Sequence, residues 1–413
     1  MSVGCRRNAA VIASLLLLST LGFGAWTRLT SGTAADLRAV HFPAGTQVGY
    51  AVGSQGTVLK TTDGGTTWAA ESSGTAKMLY SVYFLNDLTG FAVGGSAAVK
   101  TTDGGATWTP VTVPVNNSLN HVQFPENGLV GYIGVQPRDG GGRVLKTING
   151  GDNWVLDTVG GPLATSYSCG MATDNIGVVV GYQGMLYGTT DGFGGGATQG
   201  PQTNANLVAA AFSPTDPNKG YLVGNDTVLT LGVVRHTATG GLPLWDSVRC
   251  WPTPAFYGVA VPTSDAAYIC GAGDSGIIQR SVSATDFYRT TVPTGLTATM
   301  YGLCFPNGAD TGYAVGSGGT ILKTNDGGIP LKPGVAEGKV PAMTRAGIRV
   351  LSNPCRHGIA LLSDADVNVV VFDAAGRVVR SQAATKGLNF LPLPTGAYFV
   401  KSGAGTARAV VTD

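Results

Sequence analysis

The sequence predicts an all-β protein in which a seven-bladed β-propeller is followed by a small Ig-like β-sandwich. Three observations support this fold class: many glycines with few charges, a seven-fold internal repeat, and a change of pattern near residue 330. Glycine accounts for 63 of the 413 residues, about twice its usual share, and charged residues for only 12%. Because long helices and coiled coils depend on charged helix formers, this composition excludes them.

The first 24 residues have the pattern of a secretory signal peptide. Arg6 and Arg7 precede an apolar run over 9–21, and small residues follow at Gly22, Gly24 and Ala25. The run is shorter than the ~20 residues of a membrane-spanning helix, although a membrane anchor is the alternative. No later segment is apolar enough to span a bilayer. Beyond residue 24 the chain carries 24 basic and 24 acidic residues, since the segment takes two arginines from the total of 26. A neutral chain gives no electrostatic reason to bind nucleic acid or an anionic membrane.

The propeller is predicted from a unit that returns seven times along the chain. The clearest copies, Ala39–Trp68, Ser81–Trp108 and His121–Trp154, each contain an apolar strand, a Gly-rich strand, a Lys-Thr strand and a Trp strand. Four short strands at a period of 40 to 49 residues are typical of a propeller blade. The anchor residues that mark the first strand of each copy are Phe42, Phe84, Phe124, Ala172, Phe212, Val261 and Phe305.

The last copy, Gly302–Gly328, ends before its Trp strand, and the missing strand is found at the other end of the chain. Residues 25–42 align without a gap on 67–84, so Trp26 precedes Phe42 by the same interval that separates Trp68 from the next anchor. We therefore expect the N-terminal strand to complete the seventh blade of a propeller that spans 25–328. Its pairing there removes exposed strand edges from the ring.

The turns between the third and fourth strands share a Thr-x-Asp-Gly-Gly-x-Thr-Trp motif. The Asp is expected to accept hydrogen bonds from its own turn, the Gly to adopt positive φ, and the Trp to pack between blades. Each turn offers one carboxylate where a calcium site needs six to eight oxygen ligands, so no metal is expected. The residues assigned to this structural role are Asp63, Gly65, Trp68, Asp103, Gly105, Trp108, Asn149, Gly151, Trp154, Asp326 and Trp26.

Thr61–Trp68 and Thr101–Trp108 match in full the Asp-box pattern Ser/Thr-x-Asp-x-Gly-x-Thr-Trp, and Thr147–Trp154 matches with Asn for Asp. The turn at 189–192 is degenerate, and blades five and six lack the box. The repeat region resembles the Asp-box (BNR-like) propellers grouped with photosystem II stability/assembly-factor-like repeat proteins. This resemblance implies the fold and no particular function, because one fold hosts many functions.

Beyond a Pro- and Lys-containing linker at 329–347, short alternating runs predict a β-sandwich at 348–413. Asn353-Pro354, then Val367–Asp373 followed by Gly-Arg-Val-Val, then Leu-Pro-Thr-Gly-Ala-Tyr-Phe-Val-Lys at 393–401 resemble the type A C-terminal sorting domain of the bacterial type IX secretion system. Ser352 and Cys355 depart from that pattern. The resemblance implies that the secretion machinery recognises 348–413 and delivers the protein to the outer-membrane surface or the medium. An ordinary adhesion-type sandwich is the alternative.

Five cysteines follow the predicted signal peptide, and none has the CxxC spacing that favours zinc. Buried thiols are one interpretation and disulfides the other, with Cys250 and Cys270 closest in sequence. No cofactor is expected.

A secreted carbohydrate-active hydrolase, sialidase-like or endoglucanase-like, is one of two function classes, because such enzymes include Asp-box propellers. Glycosidases need two carboxylates roughly 5–10 Å apart. The repeat register places the propeller's two glutamates, Glu71 and Glu126, on an outer strand and in a first turn, away from the channel. No catalytic residue is assigned. The aspartates that recur in first turns are interpreted as turn residues: Asp87, Asp174, Asp216, Asp265 and Asp310.

A binding or scaffold module for protein or glycan is the favoured class. The register places Arg38, Tyr80, Asn120, Ser168, Val208, Tyr257 and Tyr301 at the start of the seven innermost strands, around one mouth of the central channel. Because tyrosine is an amphipathic contact residue, a binding patch is predicted there; packing of the strand ends is the alternative. The predicted ligand-binding residues are Arg38, Tyr80, Asn120, Tyr257 and Tyr301.

Overall fold

The computed structural model describes residues 26–137, 141–159, 165–195, 197–200, 204–227, 231–240, 245–248, 250, 253–273, 277–284 and 286–328. Further along it describes 348–350, 355–356, 358–363, 366–373, 377–394, 396–402 and 405–412. The predicted signal peptide at 1–24 and the predicted linker at 329–347 lie outside the described residues. Apart from two short 3-10 turns at Ser54–Gly56 and Tyr182–Gly184, the regular elements of the described part are strands.

Twenty-eight strands follow one another in the propeller region. The N-terminal strand and the first three blades contain β1 Thr27–Leu29, β2 Leu37–His41, β3 Gly49–Gly53, β4 Thr57–Thr61, β5 Ala69–Ser72, β6 Ser81–Phe84, β7 Gly90–Gly94, β8 Ala97–Thr101, β9 Thr109–Pro110, β10 Ser118–Gln123, β11 Gly131–Gln136, β12 Arg143–Thr147 and β13 Val155–Thr158. The last four blades contain β14 Ser166–Met171, β15 Gly177–Gly181, β16 Leu186–Thr189, β17 Thr198–Gln199, β18 Ala205–Phe212, β19 Gly220–Asp226, β20 Leu231–Thr237, β21 Asp246–Ser247, β22 Phe256–Thr263, β23 Ala266–Gly271, β24 Ile277–Ser283, β25 Asp286–Arg289, β26 Met300–Asn307, β27 Thr311–Gly316 and β28 Thr320–Thr324.

These strands form seven four-stranded antiparallel sheets within the described residues, which confirms the predicted fold class. Blades 1 to 6 each take four consecutive strands, and blade 7 combines β26, β27 and β28 with β1 from the other end of the chain. In that blade Thr27 pairs with Lys323 and Leu29 with Ile321. Trp26 is 1% exposed, and its backbone N–H donates to the Thr291 carbonyl over 2.9 Å.

The C-terminal strands form two sheets around one apolar core. They are β29 Ile348–Val350, β30 Cys355–Arg356, β31 Gly358–Ser363, β32 Val367–Asp373, β33 Val378–Ala384, β34 Gly387–Pro392, β35 Gly396–Ser402 and β36 Gly405–Thr412. One sheet has the order β29-β31-β34, and the other β30-β36-β35-β32-β33. Ile359, Leu361 and Leu391 from the first sheet pack with Val371 and Val400 from the second.

In six of the seven blades a glycine at the start of the second strand, or one residue after it, explains why an apolar anchor ends the first strand. A Cβ at Gly49 would overlap the Phe42 ring, and Gly90 stands in the same relation to Phe84. In blade 4 the predicted anchor, Ala172, is wrong: Met171 pairs with the equivalent glycine, so the register shifts by one residue. The shift was missed because Met171 replaces the usual aromatic ring.

The Asp turns, which follow the third strands at 61–68, 101–108, 147–154 and 324–328, are held by their own polar side chains. The Asp63 carboxylate accepts from the Thr67 N–H over 2.9 Å and from the Thr67 hydroxyl over 2.7 Å, while Thr61 donates to it over 2.8 Å. These bonds hold the pKa of Asp63 down at about 2. Gly64 and Gly65 have φ of 66° and 85°, a region that glycine adopts without strain.

An aromatic ring packs edge-on against the anchor or a neighbouring tyrosine in every blade. Trp68, Trp108, Trp154 and Trp26 meet Phe42, Phe84, Phe124 and Phe305, with centroids 5.8–6.0 Å apart. Blade 5 keeps this packing through Trp245, which lies 6.2 Å from Phe212 although its turn lacks the Asp. Phe193 and Phe287 pack edge-on against Tyr132 and Tyr221 in blades 4 and 6.

Adjacent blades are joined by a clamp, which consists of a second-strand residue and its cross-strand partner on the third strand. In blade 1 these are Tyr50 and Lys60, which both donate to the Gly104 carbonyl of the next blade, over 2.8 and 2.6 Å. Burial raises the pKa of Tyr50, so its hydroxyl stays a donor. The equivalent pairs are Tyr313–Lys323, Phe91–Lys100, Tyr132–Lys146 and Tyr268–Arg280.

The clamp changes in blades 4 and 5. Tyr221 of blade 5 pairs with His236, and its hydroxyl donates to the Ala284 carbonyl over 3.2 Å. In blade 4 the two positions hold Val178 and Gly188, which have no polar side chain to offer to blade 5. The junction between blades 4 and 5 is thus built differently from its neighbours.

Cys169 and Cys270 are buried as free thiols, and Cys250 and Cys304 are free and partly buried. Cys250 and Cys270, the pair closest in sequence, therefore form no disulfide. A search of the described residues finds no helix with the length and apolar character needed to cross a membrane.

Candidate binding site in the central channel

The first strands of the seven blades surround a central channel that encloses about 330 Å³. Residues from β2, β6, β10, β14, β18, β22 and β26 or from the turns that lead into them form its wall. A depression of about 580 Å³ lies against the outer strand β5, but its aromatic residue, Trp68, is already packed against Phe42. The channel, in contrast, brings side chains from all seven blades to one place.

A β-bulge at the start of the first strand shapes the channel mouth. Leu37 pairs with Gly53 and Ala39 with Val52, which are consecutive residues of the second strand. Arg38 is therefore an extra residue of the first strand, with no cross-strand partner of its own. Bulges re-aim side chains, and this one turns Arg38 to the channel beside Ala39. A Cβ at Gly53 would overlap the Asp36 carbonyl oxygen, which explains the glycine at this position in six of the seven blades; blade 3 has Val135 there.

The same bulge recurs around the ring and defines the mouth ring. In blade 2 the equivalent residue is Tyr80, whose N–H donates to the Val93 carbonyl over 2.8 Å. The register corrects one sequence prediction: the extra residue of blade 4 is Tyr167, and Ser168 lies one position deeper. The mouth ring comprises Arg38, Tyr80, Asn120, Tyr167, Val208, Tyr257 and Tyr301.

Three of the predicted binding residues form one contiguous patch. The Arg38 guanidinium lies 3.9 Å above the centre of the Tyr301 ring, and the Tyr257 ring follows at 5.5 Å. The Asp36 carboxylate forms a salt bridge with the Arg38 guanidinium, with nitrogen and oxygen 3.5 Å apart, and accepts from the Gly318 N–H over 3.0 Å. The patch is therefore pre-organised by a cation–π contact and an anchored carboxylate.

Tyr80 and Asn120 lie on the mouth outside this patch. Tyr80 is 36% exposed and Tyr257 38%, so both rings are available to a ligand. The Asn120 side chain accepts from Ser118 over 2.8 Å and donates to Gln136 over 3.3 Å, so much of its hydrogen-bonding capacity is used. The structure thus brings all five predicted residues to one mouth, with three in a chain of contacts.

One side of the channel wall carries large polar side chains that bridge to the next blade. Nδ1 of His41 accepts from the Phe84 N–H over 3.3 Å, and the Tyr83 hydroxyl donates to the Phe124 carbonyl over 2.6 Å. Gln123 binds both the carbonyl and the N–H of Met171, over 2.7 and 3.1 Å. These polar groups are already satisfied by neighbouring backbone.

The other side of the wall contains several small residues. The first strands of blades 4 to 7 present Ser168, Ala209, Ala211, Gly258 and Gly302 to the channel. The channel wall therefore differs between its two sides, with large bridging polar side chains on blades 1 to 3 and several small residues on blades 4 to 7.

The channel interior is nearly uncharged at neutral pH. Burial lowers the pKa of His41 and of His121 to about 4, so both imidazoles are neutral. Burial also raises the pKa of the Cys304 thiol to about 12. Among the channel-lining residues that the structure describes, Arg38 is the only one that carries a charge at pH 7.

The two propeller glutamates lie where the repeat register puts them. Glu71 lies in the outer strand β5, and Glu126 lies in the first turn of blade 3, at the end of the channel opposite the mouth. Glu126 accepts there from the Asp174 N–H over 2.9 Å. The burial of Asp174, with Glu126 beside it, raises the pKa of the Asp174 carboxyl.

No protein-family model matches the chain, and no curated protein matches it. YCF48 from Cyanidioschyzon merolae is 18% identical with a TM-score of 0.59, over 73% of this chain and 99% of its own. YCF48 bound to D1 peptide is 18% identical with a TM-score of 0.56, over 74% and 96%. The chain shares their β-propeller fold. An ancestral GH74 enzyme is 16% identical with a TM-score of 0.55, over 93% of this chain and 63% of its own. At these identities the likeness shows the fold alone.

Proposed function

We propose that this chain is an exported binding module, whose protein or glycan ligand docks on the mouth ring of the propeller. The observation that carries this proposal is the contiguous patch of Arg38, Tyr301 and Tyr257 at the entrance of an otherwise uncharged channel. Aromatic and arginine side chains are the residues on which binding energy concentrates. Their fixed geometry lowers the entropy lost when a ligand is bound.

The likeness to a YCF48 structure bound to a peptide supports a binding role, because a propeller of the same overall shape engages a peptide in that complex. The resemblance to photosystem II assembly-factor-like repeats agrees with it. In both cases the function of the relative belongs to that protein, and only the fold is shared.

The test is binding by the chain from residue 25 to 413, with a glycan array and a displayed library of random peptides as probes. Substitution of Arg38, Tyr80, Tyr257 and Tyr301 by Ala together should abolish binding of any ligand found. Phe399→Ala is the matched control, because this aromatic side chain is 40% exposed but belongs to the sandwich. Unchanged binding by the quadruple variant would refute the proposal.

Export forms the second part of the proposal. The N-terminal pattern supports passage across the inner membrane, and the strand pattern of 348–413 supports recognition by type IX secretion machinery, to the cell surface or the medium. Removal of 348–413 should leave the protein in the periplasm of its native host, as cell fractionation would show. Normal export of the truncated chain would contradict the sorting role.

A carbohydrate-active hydrolase is the second candidate, and the likeness to an ancestral GH74 enzyme across 93% of this chain favours it. A panel of β-glucan and sialoside substrates tests it directly. Turnover that is absent from the heat-inactivated protein and disappears when a carboxylate is replaced would favour this candidate over the binding module.

A further inference from the structure

The lopsided wall of the channel distinguishes between the two kinds of ligand that the mouth could bind. The part of the channel that is lined by Ala209 and Ala211 is called the slot. Gly258 and Gly302 also line the channel, but a Cβ at either position would overlap the neighbouring first strand, so these glycines mark close packing between blades. The total channel volume of about 330 Å³ is at the lower end of the range for small-molecule pockets. The slot therefore has room for one inserted group rather than for a whole chain.

Three of the polar side chains that line the channel are already bonded to backbone groups. Tyr83 and Gln123 are bonded to the backbone of the next blade, and the Ser81 hydroxyl accepts from the Val122 N–H over 3.1 Å. A sugar ring placed here would leave several hydroxyls unpaired, and each unpaired buried polar group is costly. An apolar group meets no such penalty and displaces water from apolar walls.

Charge leads to the same conclusion. His41 and His121 are neutral, and the only charge on the described channel lining is Arg38, which lies at the mouth beside Asp36. A charged group in the slot would lose its hydration and find no counter-charge of its own. At the mouth, the exposed edge of Tyr257 and the guanidinium of Arg38 can contact backbone amides of an extended chain.

We propose, on the basis of the binding function above, that the slot takes one uncharged apolar side chain of a protein ligand while the peptide backbone lies across the mouth ring. Phenylalanine or leucine suits the slot, and the Arg38–Tyr301–Tyr257 patch holds the flanking backbone. The ligand class is thus an extended peptide segment with an apolar anchor, and not a glycan.

The probe is a displayed library of random linear peptides, selected on the mature chain, with free oligosaccharides as competitors. Selected peptides should share one aromatic or aliphatic position, and its replacement by Ser should weaken binding by about tenfold or more, as for a buried anchor side chain. Enrichment without such a position, or displacement of the peptides by oligosaccharides alone, would overturn the peptide-anchor inference.

Variants of the protein separate this inference from the proposed function. Ala209→Leu narrows the slot and should weaken binding of the selected peptides at least tenfold, and Ala211→Leu serves if the first variant does not fold. Ala69→Leu makes the same change on the exposed outer strand β5 and should bind like the wild type. If Tyr301→Ala weakens binding but both slot variants bind normally, the mouth is the site and the slot inference fails. If none of the three affects binding, both proposals fail.

Discussion

The junctions between blades fall into two kinds, and the difference shows what the repeat contributes to stability. Between blades 1 and 2, Tyr50 and Lys60 converge on one carbonyl of the neighbouring turn. Between blades 4 and 5, Val178 and Gly188 occupy the same positions and offer only apolar contact or none. In a repeat protein stability is a sum of local units and their interfaces, so two substitutions within one repeat can weaken one interface alone.

The inner wall of the channel shows the same contrast. His41, Tyr83 and Gln123 bridge to the next blade, whereas Gly170 and Ala211 stand at the equivalent positions of blades 4 and 5 and cannot. Of these two small residues, Ala211 also lines the slot. A side chain large enough to bridge there would fill the space that a ligand is proposed to use.

The largest expected effect comes from truncation at a clamped junction. Tyr50 is fully buried and stacks on Phe84 with centroids 3.6 Å apart, so Tyr50→Ala should lower the free energy of unfolding by about 3–5 kcal/mol. Val178→Ala, at the equivalent position of blade 4, should cost about 2 kcal/mol from its two lost methyl groups. Urea denaturation followed by tryptophan fluorescence measures both. Equal losses would remove the distinction between the two kinds of junction.

Acid should act on the bridged half of the channel. Burial lowers the pKa of His41 and His121 from 6.5 to about 4, so the unfolded chain binds more protons between these values. The contribution of the two neutral imidazoles to the free energy of unfolding is fully present above pH 6.5 and is lost as pH falls towards 4. At pH 5 the loss is about 2 kcal/mol per ring.

The combined variant His41→Gln and His121→Gln keeps neutral polar side chains that do not titrate. Its free energy of unfolding should depend much less on pH between 6.5 and 4.5 than that of the wild type, as measured by urea denaturation across this range. An unchanged pH dependence would place the acid sensitivity elsewhere.

A double-mutant cycle examines the clamp itself. Tyr50→Phe and Lys60→Met each leave the Gly104 carbonyl with one donor, and each should cost about 1 kcal/mol. The two together leave this carbonyl without either donor, so their combined loss should exceed the sum by roughly 0.5–1 kcal/mol. Strict additivity in urea denaturation would show that the two donors act independently.

The smallest effect is expected in an Asp turn. Asp103→Asn copies the Asn149 that blade 3 already uses: it keeps an acceptor for the Thr107 N–H but loses the carboxylate bond to the Thr107 hydroxyl. The midpoint of thermal unfolding at pH 7 should change little. Because the pKa of Asp103 is held at about 2, the wild type loses this turn's contribution only in strong acid, whereas the variant should show no such loss. A large drop in the midpoint of thermal unfolding at pH 7 would contradict this prediction, because it would mean that the carboxylate stabilises more than its own turn.

The repeat spacing in the sequence predicted the seven blades, the closure by the N-terminal strand and the five mouth residues. Each of these depends on residues that recur at fixed intervals, such as the Phe42–Gly49 pair. The clearest repeats could be aligned with one another directly, and the residue positions found in them located the equivalent positions in the weaker repeats.

The failures lie where one residue type replaced another with the same physical role. Met171 fills the place of a Phe, so blade 4 was aligned one residue late and Tyr167 was overlooked as its mouth residue. Trp245 keeps the packing against the anchor of its own blade, Phe212, without an Asp, so it escaped a search based on the whole motif. The clamp pairs were missed because cross-strand partners on different strands become visible only when the strands are paired.

The pairing of β1 with β28 also has a consequence for the order of folding. Three residues at the start of the chain pair with partners that are made almost three hundred residues later, as in the hydrogen bond from Thr27 to Lys323. Closing a loop of that length costs about 5 kcal/mol in chain entropy, which the burial of Trp26 helps to offset. Among the propeller strands that the structure describes, β1 is thus synthesised first and is among the last to be placed. A chain interrupted before residue 320 has no partner for it and must leave the ring open.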